Sequence, residues 1–420
     1  MTRVGVLGSP HQAVVDQYGT VTPDGSAWQL DWWIGADDRW HVPTREAAVR
    51  QKLVGAAPVV ETSLRVPGGD AVHRAWGVGG PVGLVTVEIE NASPAPFVAA
   101  LVIGPAEEGR VRSVATRGPW VTVNGRPAMR TPRPASRWAA EAPGETFDVV
   151  EAGQAQERAF TGVGGRRRRL EVALLHPVAH RTRLRCALAA GAPGRSVPVD
   201  AVDLSLLPGA EEAAAGWDAQ MTRGMRVALP DERLQQAIDA GRAALLLIAE
   251  ARRRPSADEV AALEDWGFDA EAGGGWRRLG MRARTRASRR APDPAPWRTV
   301  QARLATATTT FTWPDGPAPL LRAARDLLVA GDEASADLLV ELPPEWRGQG
   351  LEVHDAPTRA GRVSYAVRWH GASPALLWEC EQPIPLRAPG LDPAWSTTEA
   401  RGEALLAAPR DRPPGGLSFS

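Results

Sequence analysis

The densest group of chemically able side chains is Asp31, Trp32, Trp33, Asp37, Asp38, Trp40 and His41. On a strand, alternate residues share a face, so Asp31 and Trp33 point one way and Trp28, Leu30 and Trp32 the other. A carboxylate beside an indole suits a sugar, whose hydroxyls donate to the carboxylate while its axial C–H groups stack on the ring. Two carboxylates also suit glycoside hydrolysis, one protonating the leaving oxygen while the other activates water or attacks. Asp31, Asp37 and Asp38 are therefore the candidate catalytic residues. Trp33, Trp40 and His41 are candidate ligand contacts. The competing reading is structural, with the tryptophans filling a core and Gly35–Asp38 forming an acidic turn.

A second group is Arg368, His370 and Glu379. Reading Gly371–Pro374 as a four-residue turn puts His370 opposite Ala375, and Arg368 diagonally across from Glu379. That arrangement serves either as a polar patch for a ligand or partner, or as a structural ion pair with a hydrogen-bonded histidine. A third candidate contact is Trp266, beside Glu264, Asp265 and Asp269 at the expected end of a helix. Acids there oppose the helix dipole. A shrunken sugar pocket and a solvated surface both fit.

Several other chemistries are excluded. His176 and His180 lie four apart, but Pro177 argues against a helix, and on a strand they stand roughly 13 Å apart. No metal is expected. The runs Gly77–Gly80 and Gly162–Gly165 lack the endings that cradle phosphate. No G-x-S-x-G elbow or cysteine–histidine signature for nucleophilic catalysis occurs. The sequence gives no reason to expect a cofactor.

Arginines cluster at Arg166–Arg169, Arg252–Arg254 and Arg277–Arg290, yet 49 basic residues balance 49 acidic ones. A net charge of zero argues against a dedicated nucleic-acid or anionic-membrane binder. Only Lys52 is a lysine, and 16 tryptophans stand against 6 phenylalanines and 2 tyrosines. That bias follows GC-rich codons, so tryptophan abundance alone is no sign of sugar stacking. Cys186 and Cys380 form no C-x-x-C pair, which points to a reducing compartment. The first residues lack the apolar stretch of a signal peptide, and no run approaches the ~20 apolar residues of a membrane span. The expectation is a cytoplasmic, soluble protein.

The elements that must position these residues change character along the chain. At 420 residues the length predicts about two to three domains. From Val4 to about Leu207 the pattern alternates with period two, as in Trp28–Ile34, Val60–Val66, Gly83–Glu90 and Arg181–Leu188. Asn124-Gly125 marks a tight hairpin, and Pro127 favours an edge strand. One short helix is expected near Thr44–Lys52. Residues 1–207 thus read as an antiparallel β-sandwich.

Residues 208–335 read as a linker and helical segment of about four helices after the linker helix at 209–222. One helix follows Asp231, its cap, with Leu234, Ile238, Gly241, Leu245 and Ile248 on one stripe. The next opens with the capping box Ser256–Glu259 and stops at Gly267. Others cover about 269–290 and Pro319–Val329, with a Pro-rich gap at Ala291–Pro296 and a β-like run at Thr306–Trp313. Strands return at Leu338–Glu341, Leu351–His354, Arg362–His370 and Ala375–Glu379, so 336–408 reads as a small β-sandwich. The tail 409–420 reads as disordered.

This order, with the strings GWDAQMTRGMRVALPDERLQQAIDAGRAALLL (216–247), TFTWPDG (310–316) and RVSYAVRWHGASPALLWE (362–379), resembles the six-hairpin glycosidases, such as glucoamylase-like and debranching proteins. The resemblance implies an N-terminal β-supersandwich, a helical linker, an (α/α)6 barrel with carboxylates on its loops, and often a small β-sandwich. Twelve barrel helices of about 11 residues need roughly 180–200 residues with their connections. Pro230 to Ala336 supplies about 105, so no closed barrel is expected and neither family carboxylate maps onto this chain. Three readings follow. The chain is a non-catalytic relative that binds an oligosaccharide or acts as a scaffold, a hydrolase using N-terminal carboxylates or a partner chain, or an interaction protein without ligand. A short helical layer also predicts that the Leu234–Ile248 stripe is bare unless the sandwich, a partner chain or a second copy covers it.

Overall fold

The computed structural model describes residues 1–79, 83–165, 169–190, 202–251, 253–281, 292–331, 335–359 and 361–409. Strand outweighs helix, 38% against 23%, so the fold is mainly β, and the described helices form no closed barrel. The chain divides into two compact units, Met1–Asp218 with Glu250–Arg252, and Ala219–Ala249 with Arg253–Ser420.

The first unit is an antiparallel sandwich. Its first sheet runs Thr2–Val4, Ala13–Val15, Val21–Pro23, Trp28–Gly35, Phe97–Pro105, Glu171–Val178 and Arg137–Glu141, with Trp40–His41 paired to the fourth strand. The second runs Gly162–Gly164, Ser113–Arg117, Trp120–Val123, Arg126–Arg130, Arg183–Ala189, Leu84–Asn91, Gly69–Val78, Val59–Val66 and Arg50–Leu53. Trp28, Leu30, Trp32 and Ile34 join Val87, Ile89, Leu101 and Leu174 in the core between the sheets. His73 and His176 are buried in that interior as well. His73 stacks on Trp32 with ring centroids 5.1 Å apart, and burial pushes its imidazole down to about 3. Burial likewise pushes His176 down to about 4, and neither of its ring nitrogens has a hydrogen-bond partner among the described residues.

Asn124 and Gly125, with φ of 52° and 77°, turn the chain between Trp120–Val123 and Arg126–Arg130, as the Asn-Gly pair predicts. Pro127 is not on an edge. Its strand lies between two others, and Pro127 is accommodated beside a register shift between Val121 and Thr122, where the ladder is already interrupted. The helix expected at Thr44–Lys52 is instead one 3-10 turn, Pro43–Arg45, followed by the strand Arg50–Leu53. Cross-strand pairing of Lys52 with Glu61 overrides the local helical pattern there.

Two helices belong to this part of the chain. Helix α1 (Glu145–Glu151) lies on the outer face of the first sheet, and α2 (Ala210–Met221) spans the boundary between the units. The second unit holds α3 (Glu232–Glu250, save its last residue), α4 (Ala257–Asp265), α5 (Asp269–Arg278), α6 (Pro296–Thr306) and α7 (Ala318–Leu328). Asp231 accepts from the Leu234 N–H, and Ser256 with Glu259 forms the reciprocal capping box. Helix α5 ends at Arg278, and residues 282–290 of the expected stretch lie outside the described residues.

Helix α6 occupies part of what reads as an irregular gap and a β-like run. Pro296 sits at its first position, where a missing N–H costs nothing. The threonines after it form a turn closed by Thr312 N–H donating to Thr308 Oγ1, not a strand.

The stripe Leu234, Ile238, Gly241 and Leu245 is buried, with Gly241 letting α7 approach closely at Leu321. Ile248, the last position of the expected stripe, is half-buried. The remaining strands form a sheet of Arg226–Ala228, Leu351–Thr358, Gly361–His370, Ser373–Cys380 and Arg401–Leu405, and a smaller one of Val329–Gly331, Ala336–Leu338, Leu386–Ala388 and Asp392–Thr397. The smaller sheet contains one parallel pair. The Leu338–Glu341 strand of the sequence reading is thus shifted to Ala336–Leu338. Helix α7 packs on the larger sheet, where the Tyr365 hydroxyl donates to the Leu328 carbonyl at 2.7 Å. The tail from 410 lies outside the described residues.

Candidate functional site

The first candidate group divides between two surroundings. Asp31 and Trp33 lie on the outer face of the first sheet, opposite Val102 and Ala100 of the neighbouring strand. Trp33 is buried with Val42, Val102, Ala173, Phe147 and Val150, the last two from α1. Its ring meets Phe147 edge-on at 5.3 Å. Trp33 is therefore a packing residue in this arrangement, although its indole N–H also donates to Asp31 Oδ2 at 3.4 Å.

Asp31 is half-buried, and its Oδ1 accepts from the Trp32 N–H at 2.7 Å. Burial pushes its carboxyl up to about 7, and the charges of Asp16 and Glu171 push the same way against the two hydrogen bonds. Glu171 lies on the same face and was missed by the sequence reading. Its carboxyl is also raised, chiefly by burial, although Oε1 accepts from the Gly144 N–H. Its side chain folds over Gly104, where an added Cβ would meet Oε2 at 3.6 Å. The only signal for Glu171 is its position at the head of the apolar run Val172–Leu175, in step with Ala173 and Leu175.

The second surrounding is the hairpin from Gly35 to His41. Ala36 N–H donates to the Arg39 carbonyl, closing a turn that presents exposed Asp37, Asp38 and Arg39. Trp40 packs its six-membered ring against Gly35, where a Cβ would come within 2.9 Å of the indole, and remains half-exposed. His41 is buried between two carboxylates: Nε2 meets Asp38 at 3.0 Å and Nδ1 meets Glu46 at 3.2 Å. Hydrogen bonding from His41 holds the Asp38 carboxyl below its ordinary value. Arg39 does the same for Glu46 through a 2.5 Å contact, aided by His41. Sequence reasoning missed Glu46. The Pro43–Arg45 turn brings it back onto His41.

The second candidate group does not assemble. His370 pairs with Ser373, so the loop is the two-residue Gly371-Ala372 turn rather than a four-residue one. The shorter turn shifts the register by two. Arg368 faces Ala375, while Glu379 faces Ser364 on one side and Arg401 on the other. Arg368 instead binds Glu352, which also meets His354 Nε2 at 3.1 Å. His370 is exposed beside the turn.

Trp266 is fully buried, and its N–H donates to the Leu321 carbonyl at 2.9 Å. Its ring also packs near the buried Arg242 guanidinium, which bonds to Asp239 and the Met221 carbonyl. It is a core residue and not an open sugar platform. Glu264 is buried with it.

Among the described residues no three His, Cys, Asp or Glu side chains are grouped so as to hold a metal. His176 points into the core, while His180 Nδ1 meets the Ser93 carbonyl at 2.5 Å. Cys186 and Cys380 are buried free thiols, and burial pushes Cys186 up to about 12. No described helix is long and apolar enough to cross a membrane. Residues 166–168, 252 and 282–290 of the arginine runs, and Gly80, lie outside the described residues. Compared with protein-family models and with curated proteins, the chain matches none.

Proposed function

We propose that the chain is a non-hydrolytic relative of the six-hairpin glycosidases that binds an oligosaccharide at the Gly35–His41 hairpin. The observation that carries this reading is the half-exposed Trp40 indole on the same turn as exposed Asp37, Asp38 and Arg39. The indole offers a stacking surface, the carboxylates accept from sugar hydroxyls, and the guanidinium donates. The Asp38–His41–Glu46 bonds hold the turn in place, which lowers the ordering cost of binding. Five described helices after α2 are too few for the closed barrel on which the family's catalytic carboxylates sit, which supports a binding rather than a cleaving role.

Titration with α- and β-linked oligosaccharides, followed by tryptophan fluorescence and by assay for released sugar, tests this. Saturable quenching that disappears in Trp40→Ala, with no sugar released, is the expected outcome. Quenching that survives Trp40→Ala, or no quenching with any member of the panel, contradicts it.

A second reading is favoured by one observation: Asp31 and Glu171 share a face, and both carboxyls are raised by burial. A carboxyl near 7 is suited to general-acid work. Released sugar that is lost in Asp31→Asn would place hydrolysis ahead of binding. A scaffold with no ligand would show neither quenching nor release.

A further inference from the structure

The Asn124 side chain bonds to the backbone where the chain crosses from the first sheet to the second. That crossover runs from Pro105, the end of one strand, to Ser113, the start of the next. Asn124 Oδ1 accepts from the Arg112 N–H at 2.8 Å and the Ser113 N–H at 3.3 Å, and Nδ2 donates to the Arg110 carbonyl at 2.8 Å. The Asn124 backbone N–H donates to the Ser113 carbonyl at 2.8 Å. A carboxamide supplies both the acceptor and the donor that this set needs, which a carboxylate does not. The clip holds the crossover beside Val111, which is fully buried in the sandwich core.

Asn124 is followed by glycine, whose backbone nitrogen no side chain hinders. In that setting the nitrogen of the second residue can attack the carboxamide of the first. With φ of 52° and 77°, and Val123 paired with Arg126, the two residues form a hairpin turn of the I′ type. Closing a five-membered ring requires the Gly125 nitrogen to swing into the plane of Asn124 Cα, Cβ and Cγ. That rotation takes ψ of Asn124 far from the roughly +30° of such a turn, so the hairpin must open first. Cγ must leave the clip as well.

We propose that Asn124-Gly125 is a self-modification site that the fold holds shut and that, once reacted, loosens the crossover permanently. When the hairpin and the crossover separate, the Gly125 nitrogen gives up its proton and attacks Asn124 Cγ. The Cγ–Nδ2 bond breaks, ammonia leaves, and a succinimide ring remains. Water then opens the ring at either carbonyl, leaving aspartate or isoaspartate. Neither product rebuilds the clip. The carboxylate has no N–H for the Arg110 carbonyl and presents an oxygen to it instead. Isoaspartate also adds a backbone atom to a turn whose length sets the strand register. The proposal does not depend on glycan binding.

Mass spectrometry of the peptide containing Asn124, after timed incubation of the full chain in mildly alkaline buffer, reads the converted fraction. Conversion should be at least about tenfold slower in the native chain than in the same chain unfolded by urea. Val111→Ala leaves every bonding group of the clip in place but weakens the packing of the crossover. It should speed native conversion severalfold and leave the rate in urea unchanged. Asn124→Asp installs one product directly. It should lower hydrogen-exchange protection of segments 110–116 and 120–126 by about fivefold to tenfold relative to the Leu84–Asn91 strand. Equal rates in the native and unfolded chains would overturn the proposal, as would a native rate unmoved by Val111→Ala or unchanged protection in Asn124→Asp.

Discussion

On the outer face of the second sheet, Glu88 is almost fully buried with Arg74, Arg183 and Arg185 around it. On the outer face of the first, Asp31 and Glu171 are partly buried, and neither forms an ion pair among the described residues. Register makes the difference. Lys52, Glu61, Arg74, Glu88 and Arg185 stand directly opposite one another across five neighbouring strands, so charge alternates along one row. Burial resists the charge on Glu61, yet Arg74 and Lys52 hold its carboxyl below the ordinary value. The equivalent row through Asp31 continues into Val102 and Ala173, which have no charge to offer. One face thus uses its carboxylates to tie strands together, whereas the other leaves Asp31, whose carboxyl is pushed up to about 7, and Glu171, whose carboxyl burial also raises.

The largest effect should come from breaking the ladder at its centre. Arg74→Met removes the partner of Glu61 and Glu90 and one of the groups facing Glu88. Unfolding by urea should show a loss of about 3–5 kcal/mol, as expected when one member of a buried ion network is removed. Lys52→Ala, at the exposed end of the same row, should cost no more than about 1 kcal/mol. Equal costs at the two positions would show that the row does not act through burial.

Asp31→Asn should act in the opposite direction. The folded carboxyl keeps its proton to about pH 7, whereas an unfolded chain releases it near 3.8. Stability is therefore lost as pH rises from about 4 to about 7, by up to about 4 kcal/mol at about 1.4 kcal/mol per pH unit. Paired melts of wild type and variant should coincide near pH 4 and separate at pH 8, with the variant more stable. The interior histidines, His73 and His176, tilt both proteins alike as pH falls below about 6.5, so the difference isolates Asp31.

Much of this contrast was hidden in the sequence for physical reasons. The Trp28–Ile34 alternation and the caps at Asp231 and Ser256 are local signals, and each is realised as read. Pro296 is also local but ambiguous, since proline both breaks a helix and starts one. The ladder depends on register among five strands, and no single segment encodes it. A difference of two residues in loop length at Gly371-Ala372 was enough to separate Arg368 from Glu379. In the candidate site, the acids of the 31–41 segment were legible as residue types. The burial that raises Asp31 comes from the fold, and its companion Glu171 comes from a strand some 140 residues further along.

The most direct test of the contrast between the two faces is a carboxyl-carbon NMR titration of Asp31, assigned by loss of its signal in Asp31→Asn. A midpoint near 7 is the expected result. A midpoint near the ordinary 3.8 would show that the outer face of the first sheet holds an ordinary carboxylate, and would remove the basis for the acid site.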